Sequence, residues 1–166
     1  MILVDSDVSE DWDSRTDWAG LAERAVRSAV AHSRHAALAD KDPEVSVKFT
    51  SDEEVRTLNA AWRNKDKPTN VLSFPMADEA DLGTAHLLGD IVLAHGICAG
   101  EAEEKNVRVE THAAHLVVHG MLHLLGYDHE TSDEDAEEME EAERQALASI
   151  GISDPYHLEV TPQSNG

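Results

Sequence analysis

The chain has 166 residues, a length that suits one domain with a core large enough to need no disulfide staples. Its 34 acidic residues against 13 basic ones give a net charge of −21, which argues against a protein that grips nucleic acid over a broad basic face, because an acidic surface repels phosphate at long range. The single cysteine, Cys98, forbids an internal disulfide and fits a reducing cytoplasm, and no run approaches the ~20 apolar residues a membrane helix requires.

In chain order, residues 2–4 suit a short first strand, broken by Asp5 and Asp7, with no basic region before it that would direct export. Trp18, Leu21, Ala25, Val26, Ala29 and Val30 recur at helical spacing, with Asp17 placed to cap that helix. Val45, Val47 and Phe49 alternate with Ser46, Lys48 and Thr50, the pattern of a half-buried strand. A second helix follows: Ser51 with Glu54 forms a capping box, and Val55, Leu58 and Trp62 make its apolar stripe, so Arg63 falls at or just past its end, before Pro68. Residues 71–74 and 91–94 are β-prone, flanked by Pro75 and Gly89, and residues 76–87 between them read as a surface connection of the kind that borders active sites.

Residues 96–105 are expected to form a short helix and 109–125 a longer one, buried almost all round by Leu116, Val117, Met121, Leu122 and Leu124. A last helix is expected over 132–150, capped by Ser132 with Asp135, with Met139, Ala142, Ala146 and Ile150 facing the core and Gly151 as its stop. Residues 1–152 then form one domain and 153–166 a loose tail. Helices and strands without strict βαβ alternation predict an α+β fold, a small mixed β-sheet covered by about five helices.

The chemistry concentrates in His119-Gly-Met-Leu-His123-Leu-Leu-Gly126-Tyr-Asp-His129. On a helix, His119 and His123 lie about 40° apart on one face and one turn apart, so both can reach one ion. Gly126 lets the chain leave the helix and fold back, which offers His129 as a third ligand. Three imidazoles leave a fourth position open, the mark of a catalytic rather than a structural zinc, although nickel or copper also suit such a set. His112 and His115 lie on the same helical side, within about 80°, so a shifted pair such as His115 and His119 is geometrically open; Gly126 favours the later pair. The competing view of these histidines is a hydrogen-bonded set of half-buried polar residues without a ligand. Asp90 is expected to cap backbone amides or to orient a ligand histidine, and Tyr127 and Asp128 to shape the turn.

The HGMLHLLGYDH run, together with Lys65-Asp-Lys-Pro-Thr-Asn-Val-Leu-Ser-Phe-Pro75 and Leu88-Gly-Asp-Ile91, resembles the YbeY family of bacterial endoribonucleases over about residues 45 to 150. The resemblance implies a zinc-dependent hydrolase that acts on single-stranded RNA, matures the 3′ end of 16S ribosomal RNA and takes part in ribosome quality control in the cytoplasm. It implies one zinc ion on His119, His123 and His129, and places the family's functionally important arginine on Arg63. Ribosomal RNA and small-subunit ribosomal proteins are then the implied partners. Asn64 stands where family members often have Gly, which leaves Arg63 in place.

Two alternatives compete. Metalloproteases with His at i, i+4 carry a Glu directly after the first His, and here that position is Gly120, so a protease would need Asp128 or Glu130 as its base. A ribosome assembly factor with a structural metal would suit the acidic surface, but would normally need a fourth protein ligand. Arg63, Lys65 and Lys67 answer the charge objection, since a local basic loop can hold phosphate on an otherwise acidic protein.

Overall fold

The computed structural model describes residues 1–128 and 132–153. Four strands form one mixed sheet in the order β1-β2-β4-β3, where β1 is Leu3–Val8, β2 Glu44–Thr50, β3 Val71–Pro75 and β4 Leu87–Ala94. β1, β2 and β4 run parallel, and β3 pairs antiparallel with β4 at the sheet's edge. Among the described residues five α-helices accompany them: α1 (Trp18–Ala31), α2 (Asp52–Arg63), α3 (His95–Lys105), α4 (Val109–Leu124) and α5 (Asp133–Ser149). The expected α+β architecture is therefore the observed one.

Alternation along the strands separates two cores. Val45, Val47, Phe49, Ile91 and Leu93 face a large core shared with α1, α4 and α5. Leu72, Val92 and Ala94 face the other way, onto Val55 of α2. Because α2 covers only part of that second face, Leu3 stays exposed and a cleft remains beside the helix.

The caps act as their residue types dictate. Asp17, Ser51 and Ser132 each accept a hydrogen bond from the backbone N–H three residues on, satisfying donors that a helix N-terminus leaves without an intrahelical partner. Glu54 does not complete a capping box: its carboxylate takes the Thr50 hydroxyl and Lys48 instead.

Several expectations need correction. The first strand runs to Val8 rather than stopping at residue 4, because Asp5 and Asp7 fall on its exposed side while the backbone keeps pairing with Ser46 and Lys48 of β2. β4 begins at Leu87, four residues before the β-prone run, so Asp90 lies inside a strand and lines the cleft. The connection before it contains a 3-10 turn, Glu79–Thr84, whose Leu82 is buried in the main core. Trp62 does not join the α2 stripe; it is 73% exposed, and Asn59 is buried in its stead, where its amide holds the carbonyl of Lys67. No helix among the described residues is long and apolar enough to cross a membrane.

Candidate metal centre

Helix α4 is buried on every side but one. His115, His119 and His123 are half-buried at four-residue spacing, while Leu116, Val117, Val118, Gly120, Met121, Leu122 and Leu124 are buried around them. The one wet stripe of a core helix is thus made of imidazoles, carried on a rigid element.

The rings of His119 and His123 sit with centroids 4.6 Å apart and planes at 80°. Their Nε2 atoms approach to 3.1 Å. Each Nδ1 is already committed: His123 Nδ1 donates to the backbone carbonyl of Tyr127 at 3.0 Å, and His119 Nδ1 donates to the carboxylate of Glu143 on α5. A carbonyl and a carboxylate can only accept, so both Nδ1 atoms carry the proton and both Nε2 atoms present lone pairs toward each other. That approach is repulsive unless a cation lies between the nitrogens or one ring takes a second proton. Zinc bonds of about 2.0–2.1 Å at a tetrahedral angle put two ligand nitrogens about 3.3 Å apart, close to the observed separation. The pair therefore fits a metal. Among the described residues no group of three His, Cys, Asp or Glu surrounds one point, and His129 and Glu130 lie outside the described residues.

Glu143 is fully buried and also lies 3.5 Å from His115 Nε2. Burial alone would raise its carboxyl pKa, but the imidazoles of His115 and His119 outweigh that and hold it below the ordinary carboxylate range. A carboxylate behind a ligand histidine fixes its tautomer and sharpens its basicity. The sequence carried a signal for this residue: Glu143 interrupts the apolar series Met139, Ala142, Ala146, Leu147 on the buried face of α5. His115 thus faces Glu143, and His112 donates to Glu101 at 2.7 Å, with burial the main cause of its lowered pKa; the pair whose Nε2 atoms converge is the later one.

Tyr127 is held as firmly as the histidine it supports. Its hydroxyl accepts the backbone N–H of Arg34 at 2.9 Å, and the Arg34 guanidinium lies 4.0 Å over its ring, tied to Glu79 at 2.8 Å and Glu138 at 2.9 Å. Gly126 enters this turn at φ 98°, a backbone conformation that favours glycine, and a Cβ there would stand 2.7 Å from the Glu79 carboxyl group. Asp128 is exposed at the end of the same turn.

Gly120 answers the protease alternative. A Cβ at this position would lie 2.9 Å from Ile91 Cγ2 and 3.1 Å from Ser73 Oγ, so position 120 points into the sheet and has no room for a glutamate. Ser73 donates its hydroxyl to the Gly120 carbonyl at 3.1 Å, between the two histidines. Its own carbonyl points away from β4, at the free edge of β3, and accepts from Arg63 Nη2 at 2.7 Å. One residue thereby joins Arg63 to the histidine-bearing turn. Arg63 lines a cleft of about 910 Å3 with Phe74 and Asp90, while His119 lines a second, of about 380 Å3, with His112, His115, Asn70 and Glu101.

Comparison with known proteins gives a consistent picture. A family model described as Endoribonuclease YbeY matches residues 9–151. Curated relatives named Endoribonuclease YbeY include one from Novosphingobium aromaticivorans, 51% identical over 95% of this chain and 97% of its own length, and one from Rhizorhabdus wittichii, 52% identical over 95% and 98%. The solution structure of TM1509 from Thermotoga maritima is similar with a TM-score of 0.59 and 26% identity, covering 100% of this chain and 96% of that one.

Proposed function

The chain belongs to the YbeY endoribonuclease family, and on that premise we propose that it is a metal-dependent, single-strand-specific endoribonuclease. One zinc ion is held by His119, His123 and His129, and Arg63 holds the scissile phosphate. The observation that carries the reading is the 3.1 Å approach of two imidazole Nε2 atoms whose Nδ1 protons are already spent. When bound, the ion supplies Lewis-acid chemistry toward water or a phosphoryl oxygen.

The chain's own residues do the rest. Glu143 and the Tyr127 carbonyl hold His119 and His123 in the tautomer that turns Nε2 to the site. Arg63 uses one Nη2 hydrogen on Ser73 and keeps its other donors for phosphate oxygens, where a planar guanidinium can bind in bidentate fashion and offset charge that grows in the transition state. The Arg63 to Lys67 segment is exposed, and its one acid, Asp66, is paired with Arg56 at 2.8 Å, so Arg63, Lys65 and Lys67 set the local charge against a strongly acidic whole. Family membership supports ribosomal RNA, at the 3′ end of 16S rRNA, as the cytoplasmic substrate, with small-subunit ribosomal proteins nearby and a part in ribosome quality control.

The test is metal content measured alongside cleavage of a single-stranded RNA for wild type, His123→Ala and Arg63→Ala. The expected result is loss of metal and cleavage in His123→Ala, and loss of cleavage with metal retained in Arg63→Ala. Cleavage that persists unchanged in both variants would mark the activity as a contaminant and the reading as wrong.

A further inference from the structure

Trp62 is the residue that the fold leaves unexplained. One helical turn before it, Leu58 is half-buried, and the other two tryptophans, Trp12 and Trp18, are 2% and 4% exposed. Trp62 is 73% exposed at the last turn of α2, on the wall of the 910 Å3 cleft that Arg63 also lines. An indole kept in water beside a functional arginine points to a ligand with a flat apolar face.

The surroundings choose which one. Asn64 ends α2 in the left-handed conformation, at φ 58°, and the returning loop is pinned to the helix by Lys65 N–H on the Asn59 carbonyl at 3.2 Å and by the Asn59 amide on the Lys67 carbonyl at 2.9 Å. The backbone that carries Lys65 and Lys67 is thereby held next to Trp62 and Arg63, in a segment whose one carboxylate, Asp66, is taken by Arg56. A flat aromatic surface with basic residues carried on a pinned backbone beside it matches a single-stranded polynucleotide, in which bases and phosphates alternate. Asp5 and Asp7 line the same cleft from β1, at the opposite edge of the sheet from β3, and repel phosphate there, which favours the Trp62 and Arg63 end for the strand.

We propose that Trp62 is a stacking platform for a base of the RNA strand next to the phosphate that Arg63 holds. This rests on the ribonuclease reading above and supplies a physical reason for strand selectivity: a base in a duplex is already paired and stacked on its neighbours, whereas an unpaired base can turn its face to the indole. Stacking accepts any base, so the platform confers strand selectivity without sequence preference.

The experiment uses the full, zinc-loaded chain and a twelve-residue oligouridine, single-stranded or annealed to its complement. With Trp12 and Trp18 buried, acrylamide quenching of tryptophan emission reports on Trp62. Saturating single-stranded RNA should abolish that quenching, and the duplex should leave it unchanged. Trp62→Ala should weaken RNA binding about 5- to 150-fold, the range of one base stacked on one aromatic ring, with metal content unchanged. Trp62→Phe should keep most of the affinity, and Trp62→Leu, apolar without a π face, should behave like alanine.

Wild-type protein that binds RNA while Trp62 stays quenchable, or a leucine variant as tight as the phenylalanine one, overturns the platform alone. Wild-type protein that neither binds nor cuts RNA overturns the ribonuclease reading and the platform with it. Shielding of Trp62 that grows with protein concentration in the absence of RNA assigns the indole to a contact between copies and also overturns the proposal.

Discussion

Replacing Glu143 with glutamine tests whether the carboxylate behind His119 serves the metal or only the core. The side chain keeps its volume, is wholly buried, and its remaining carbonyl oxygen can still accept from His119 Nδ1, so the change removes charge and little else. A hydrogen bond to a charged group contributes about 1.5–3 kcal/mol and a neutral one about 0.5–1.5, so roughly 1–1.5 kcal/mol of support for His119 is lost. At about 1.4 kcal/mol per decade, Glu143→Gln should bind zinc on the order of 10-fold more weakly, the lower end of what loss of a partner behind a metal ligand usually does. Competition against a chromophoric chelator reads this directly. Thermal unfolding of the metal-free protein is the control: a ~1 kcal/mol change shifts the midpoint by only about 2–4 °C in a chain of this size. Because a neutral residue of equal size can be tolerated in place of a buried charge, that midpoint need not fall at all. Zinc affinity equal to wild type, whatever the midpoint does, would show that Glu143 packs the core without tuning the site.

The remaining expectations follow from local geometry. Gly120→Ala gains about 1 kcal/mol of helix propensity but drives a Cβ to 2.9 Å from Ile91, an overpacking that costs about 1–3 kcal/mol, and denaturant unfolding should show a net loss together with weaker zinc binding; a stabilised variant with wild-type affinity would refute the packing argument. Cys98 is fully buried and its thiol is pushed up to about 12, so a thiol reagent at pH 8 should label the chain only as it unfolds, and rapid labelling of the native protein would contradict the burial. Glu54 has its carboxyl held below the ordinary 4.5, first by Lys48 and then by Thr50. A lowered folded pKa gives stability that is full above the unfolded value and is lost as pH falls through the folded one, so Glu54→Gln should flatten the acid arm of stability below about pH 4.5. Melting curves between pH 3 and 7 that run parallel for the two proteins would remove Glu54 from the acid response.

Much of this protein was decided by interactions short enough along the chain to be read as sequence. Asp17, Ser51 and Ser132 cap helices because a side-chain oxygen reaches a backbone N–H three residues away. Val45, Val47 and Phe49 alternate because a strand alternates its faces, and His119 meets His123 because four residues nearly complete a helical turn. Gly126 was legible for the same reason: a turn that leaves a helix at positive φ selects glycine.

The tertiary structure decided what depends on partners distant in sequence. Glu143 stands 24 residues from the histidine it holds, and its acidic interruption of an apolar stripe gained meaning once α5 lay against α4. Ser73 bridges Arg63 and Gly120 because β3 lies at the sheet's edge, a place set by the β1-β2-β4-β3 order and invisible in the strand's own residues. Val55, Leu58 and Trp62 recur at helical spacing, yet Trp62 stays exposed because α2 covers only part of its face of the sheet, and no local pattern records how far a neighbouring surface extends. Spacing tells which side chains share a face of an element; what that face meets is fixed by packing, because burial energy depends on area removed from water and is indifferent to distance along the chain.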